Sequence, residues 1–143
     1  MTDELTIDEI YEEFDELPDW KDRCDYLIDL GFDLPELPEE AKTEENRVHG
    51  CQSNVWMIAE VEPDGPRTIK LRAMSDSIIV SGLIVILLTL YSGKTPAEIA
   101  AIDPKETFER LGLERYLSSQ RRNGLYGMVQ RVRELSVKIE AGL

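Results

Sequence analysis

The sequence predicts an α+β domain, helices first, then a small antiparallel sheet, then helices again. Three observations carry this. Apolar residues recur at helical spacing near the N-terminus, and β-branched or alternating runs flank a Pro/Gly-rich turn in the middle of the chain. A long apolar segment, two proline-started caps and a long amphipathic stripe follow.

Taken in order, Ile7, Ile10, Tyr11, Phe14 and Leu17 mark the first helix. Thr6 with Glu9 makes a capping-box pattern at its start, and Pro18 ends it. Asp19 is expected to cap a second helix with Trp20, Cys24, Leu27 and Ile28 on its apolar face, stopped by a left-handed Gly31. Asp33-Leu34-Pro35-Glu36-Leu37-Pro38 reads as an extended connector, since a residue before proline avoids the helical region. Val55-Trp56-Met57-Ile58-Ala59-Glu60-Val61 has strand composition, Glu62-Pro63-Asp64-Gly65-Pro66 has turn chemistry, and Thr68-Ile69-Lys70-Leu71-Arg72-Ala73-Met74 alternates with period two. These make a hairpin. A third short strand is expected through Arg47-Val48-His49, which places Cys51 in the turn between strands.

Helical texture returns at Ser75-Asp76-Ser77, and the run from Ile78 to Tyr91 is apolar nearly all round, as a central buried helix should be. Thr95-Pro96-Ala97-Glu98 and Asp103-Pro104-Lys105-Glu106 each combine a cap, a first-turn proline and a glutamate, and predict two short helices. Leu125, Met128, Val129, Val132, Leu135 and Ile139 then line one stripe of a long last helix.

The 143 residues suit one domain, and 42% hydrophobic with 31% charged residues suits a soluble globular chain. A net charge of −13 argues against nucleic acid and against an anionic membrane surface as partners. Residues 1–45 hold 18 acids and 3 bases, whereas residues 46–143 hold 11 and 13. An acidic first third can steer a basic partner, although a solvated face is the simpler reading. Two cysteines do not make a disulfide framework, the acidic N-terminus lacks signal-peptide texture, and Ile78 to Tyr91 is too short to span a bilayer. The expected compartment is a reducing cytoplasm.

No Walker loop or dinucleotide turn is present, and two distant cysteines with the single histidine fall short of a structural zinc set. Cys24 lies on a helix's apolar face, where a free cysteine acts as a small hydrophobe. Cys51 differs, because it follows Gly50 in a turn with polar Gln52, Ser53 and Asn54. From spacing alone it is a reactive thiol or a structural one, and His49 a thiolate partner or an exposed strand-end residue. A stand-alone cysteine hydrolase using Cys51 and His49, and an iron–sulfur scaffold, are the competing readings. A scaffold needs about three or four cluster ligands, more than two cysteines supply.

Four segments together resemble the SufE family of sulfur acceptors for cysteine desulfurases. They are Tyr26-Leu27-Ile28-Asp29-Leu30-Gly31 with Leu34-Pro35-Glu36-Leu37; Asn46-Arg47-Val48-His49-Gly50-Cys51-Gln52-Ser53-Asn54-Val55-Trp56; Ser75-Asp76-Ser77 with Ile79-Val80-Ser81-Gly82-Leu83; and Arg121-Arg122-Asn123-Gly124-Leu125. The resemblance covers nearly the whole chain and implies one SufE-like domain over residues 1–143. It implies the fold of IscU-type scaffolds, a three-stranded antiparallel sheet packed against several helices. It implies that Cys51 carries persulfide sulfur, that the protein stimulates its desulfurase, and that sulfur passes to iron–sulfur cluster assembly, or alternatively to another thiolation route (CsdE-like). Asp76 and Arg121 fall at positions that the resemblance associates with the cysteine loop and partner engagement, and Gly50, Gln52 and Ser53 belong to that loop with His49, which falls where the family tolerates other residues and takes no catalytic role from it. The implied partners are a SufS-type desulfurase, which uses pyridoxal phosphate, and a SufBCD-type cluster scaffold complex. The acceptor has no cofactor or metal of its own in this reading.

Overall fold

The computed structural model describes residues 5–49, 53–62 and 67–142. Helix α1 (Ile7–Asp15) opens with the expected capping box, in which Thr6 and Glu9 each satisfy the other's backbone N–H. Helix α2 (Trp20–Phe32) departs from expectation at both ends. Asp19 makes no side-chain cap bond there, and Asp33 rather than Gly31 closes the helix. Gly31 is helical and buried, and its lack of a side chain serves packing instead. The short α1–α2 corner is tied by Arg23, which donates from Nε to the Leu17 carbonyl (2.7 Å) and from Nη2 to the Phe14 carbonyl (2.9 Å). A cation on the open carbonyls of a helix C-terminus stabilises it.

The connector contains a single 3₁₀ turn at Glu39–Ala41, and then strands β1 (Val55–Val61) and β2 (Ile69–Ser75) pair antiparallel with Val55 opposite Ser75 and Val61 opposite Ile69. Residues 63–66, where most of the expected hairpin turn falls, lie outside the described residues. The expected third strand is not formed. Arg47 makes one isolated bridge to Trp56, supported by Val48 N–H to the Val55 carbonyl (2.8 Å) and Met57 N–H to the Asn46 carbonyl (2.9 Å). Just upstream, Asn46 and Arg47 N–H groups bond back to Thr43 and Glu44 in a turn. Backbone groups spent on that turn cannot continue a ladder, so among the described residues the sheet has two strands with a bridged edge.

Helix α3 (Ile78–Tyr91) is the central element, with Ile84, Ile86, Leu87 and Tyr91 fully buried. It packs on α1, α2, β2 and on the last helix, α7 (Ser119–Glu140). Its crossing with α2 is unusually close. A Cβ on Gly82 would lie 2.1 Å from the Leu27 carbonyl oxygen, and one on Gly31 would lie 2.6 Å from that of Ile78. Two glycines thus let two helix backbones touch. Helices α4 (Pro96–Ala101) and α5 (Pro104–Arg110) begin with proline as expected. Thr95 and Glu98 form a full capping box, whereas Asp103 caps α5 through the Lys105 N–H. A one-turn helix α6 (Leu113–Tyr116), absent from the sequence reading, precedes α7. Buried Leu125, Met128, Val129 and Val132 of α7 join the same core as the sheet and α3. No helix among the described residues is long and apolar enough to cross a membrane.

Candidate functional site

Gly50, Cys51 and Gln52 lie outside the described residues, but both flanks of the segment that holds them are defined. On the entering side, Val48 is buried and its N–H bonds the Val55 carbonyl, so the two ends of segment 49–54 are held together at the start of β1. Helix α7 comes close to the entering side at Gly127, where a Cβ would stand 3.2 Å from the His49 carbonyl oxygen. One turn further along, Arg131 donates from Nη2 to the Glu45 carbonyl at 2.7 Å.

On the leaving side, Asp76 holds Asn54. The Asn54 backbone N–H donates to Asp76 Oδ1 (3.1 Å) and its side-chain amide donates to Oδ2 (2.9 Å). The Asp76 N–H donates back to the Asn54 carbonyl (3.2 Å). Three bonds between two residues fix where the cysteine segment rejoins the sheet and where α3 begins. Ser77 then caps α3 by accepting from the Val80 N–H.

Between these anchors lies a small cavity of about 70 Å³, lined by Ser53, Val80, Leu83, Gln120, Arg121, Gly124, Leu125 and Met128. That exceeds the ~10–15 Å³ that one water needs. Its floor is apolar side chains of α3 and α7, and its polar wall is Ser53, Gln120 and Arg121. The first turns of α3 and α7 contribute Val80, Gln120 and Arg121 to its lining. Ser53, Asp76 and Arg121, separate in sequence, are thus gathered around one segment.

His49 is turned elsewhere. Its Nε2 is 3.2 Å from Glu44 Oε2, and 70% of its side chain is exposed. Cys24, expected as core filler, is only half-buried. Burial pushes its thiol pKa up, and Asp25 adds to that; the opposing influences are the Arg121 charge and a hydrogen bond from Trp20. The sequence reading missed Asn54, Gln120 and Gly127. Asn54 was visible as a turn residue and within the family segment but not as a site residue; the other two showed no signal that separates them from an ordinary helix face. Among the described residues no cluster of three His, Cys, Asp or Glu side chains stands ready for a metal.

The family model "SufE: Fe-S metabolism associated domain" matches residues 8–136. The chain belongs to the SufE family. This membership supports a sulfur-acceptor role in iron–sulfur metabolism. A SufE-like protein of Rhizobium etli is 48% identical over 131 residues, which cover 90% of this chain and 88% of that protein. A SufE-like protein of Rhizobium meliloti is 42% identical over 129 residues, 90% of this chain and 92% of that one. The solution structure of a hypothetical protein from Thermus thermophilus superposes with a TM-score of 0.72 at 23% identity, covering 92% of this chain and 93% of that one, a likeness of fold.

Proposed function

We propose that this SufE-family protein takes sulfur from the persulfide of a cysteine desulfurase onto Cys51, so stimulating the desulfurase, and relays it to a cluster scaffold complex in the cytoplasm. The observation that carries the reading is the pair of fixed flanks around Cys51, clamped by Asp76 at one end and bounded by a cavity that Ser53 and Arg121 wall. Flanks held in this way stay in place while a partner engages the segment between them.

The chemistry balances without an oxidant. The Cys51 thiolate attacks the outer sulfur of the desulfurase Cys–S–SH. The new S–S bond forms as the old one breaks, and the desulfurase thiolate leaves, as in thiol–disulfide exchange. Cys51 then carries S–SH, and one cysteine suffices. In this reading the cavity beside the Ser53 flank, floored by Val80, Leu83, Leu125 and Met128, shelters the transferred sulfur from small thiols. Asp76 acts on the position of the cysteine segment, through Asn54, rather than on the sulfur.

The deciding experiment is mass spectrometry of the protein after incubation with a desulfurase and cysteine. The Cys51 peptide of the native chain and of a Cys24→Ala variant gains one or more sulfur atoms, and Cys51→Ala gains none. Equal sulfur loading of folded Cys51→Ala would overturn the assignment.

A further inference from the structure

The acidic first third of the chain and a second, larger concavity are not used by the sulfur-acceptor reading. That concavity is an open groove of about 1170 Å³ between Leu5 just before α1, the C-terminal ends of α2 and α3, and the far end of the hairpin. Leu30, Leu34, Val85 and Leu88 give it an apolar floor. Phe32, in the last turn of α2, is 72% exposed.

Acidic residues outnumber basic ones along the groove. Asp33 and Glu62 line it against the single cation Lys70. Both α2 and α3 end at its edge, and neither has a basic residue in its last turn. Two helix C-termini therefore add partial negative charge without a side-chain counterweight on those turns. A volume above the ~300–1,000 Å³ of small-molecule sites, with an apolar floor, fits a peptide segment. A second copy of this chain, at a net charge of −13, meets like charge at such a face.

We propose that this groove is a docking site for a basic amphipathic segment of a partner protein, with large apolar side chains on the floor and Lys or Arg at the rim. It is separate from the Cys51 site. The cavity is lined by Val80 and Leu83, near the start of α3, and the groove by Leu88 and Ser92, near its end. From Val80 to Leu88 the helix rises about 12 Å. The cysteine segment also joins the hairpin at its Val55–Ser75 end, and the groove lies at the Glu62–Lys70 end. A partner segment seated in the groove leaves the Ser53–Arg121 cavity uncovered, so this inference stands apart from the role proposed for Cys51.

The probe is a synthetic amphipathic helical peptide of leucine and lysine, with a leucine–glutamate peptide of the same apolar pattern as control. Binding to the full chain is read by fluorescence anisotropy and mapped by amide chemical shifts. The lysine peptide is expected to shift Leu30, Leu34, Leu88 and Thr89. Its affinity falls about tenfold in a double variant Asp33→Lys, Glu62→Lys, but less than about threefold in Glu106→Lys, Glu109→Lys, which changes the charge equally on α5. Leu88→Arg weakens binding as well. Equal loss in both double variants, shifts centred on α5, or equal binding of the glutamate peptide overturns the proposal. Groove shifts that follow protein concentration without peptide would assign the face to a second copy instead, and overturn it too.

Discussion

At the scale of single residues, the Asn54–Asp76 pair decides how the cysteine segment is held. Asp76 accepts both the backbone and the side-chain N–H of Asn54, so its carboxylate joins that segment to α3. Asp76→Arg removes both acceptors and adds a cation, and Cys51 should then alkylate several-fold faster with iodoacetamide in the free protein. A peptide-resolved labelling time course checks this; unchanged labelling means that the pair does not restrain the thiol. Cys24 gives a pH prediction of the opposite kind. Burial raises its pKa, so below that pKa its thiolate fraction is smaller than in an unstructured peptide. Its alkylation at mildly alkaline pH should therefore lag behind a peptide thiol, and the rate–pH midpoint should lie above the ordinary value of 9.0. A midpoint at or below that value would show that Arg121 and Trp20 outweigh burial.

At the scale of elements, glycines set the distances that the site depends on. The α2–α3 crossing allows no Cβ at Gly82, because the Leu27 carbonyl is backbone and cannot swing aside. Gly82→Ala should cost about 3 kcal/mol or fail to fold, since overpacking in a closed core is relieved only by moving a helix. Urea denaturation measures it, and a loss under about 0.5 kcal/mol, the range of neutral surface changes, would mean that the helices separate freely. Gly127 is a milder case at 3.2 Å from the His49 carbonyl. Gly127→Ala should leave global stability nearly intact while displacing the entering side of the cysteine segment, visible as amide shifts at Val48 and His49. Shifts confined to α7 would show that this side does not lean on the helix.

At the scale of the whole molecule, the cysteine segment and cavity occupy one end of α3 and the β-hairpin, while the acidic groove occupies the other. In the proposed function the cysteine end meets the desulfurase. The protein should raise desulfurase turnover at saturating cysteine, because it removes the enzyme-bound persulfide that otherwise waits for a slow external thiol. Alanine release across a titration with this protein is the measurement, and a flat titration would remove the desulfurase from the proposal. Alone with cysteine, the protein should release no sulfide.

Much of this was legible in the sequence because it is local. The α1 capping box, the β1 span, the Ile78–Tyr91 helix and the proline starts of α4 and α5 each follow from residues within a turn or a strand of one another. The family segments around Cys51 were legible for the same reason. Tertiary structure decided what depends on groups far apart in the chain. The third strand shrank to one bridge because Thr43 and Glu44 claimed the neighbouring N–H groups. Gly31, expected to end α2 with a left-handed turn, stayed helical, since Phe32 and Asp33 could continue the backbone and its missing side chain was needed against Ile78. The meeting of Asn54 with Asp76, and of Ser53 with Arg121 around one cavity, has no local signal. Periodicity reports which face of an element is buried; only packing in three dimensions selects which elements meet there.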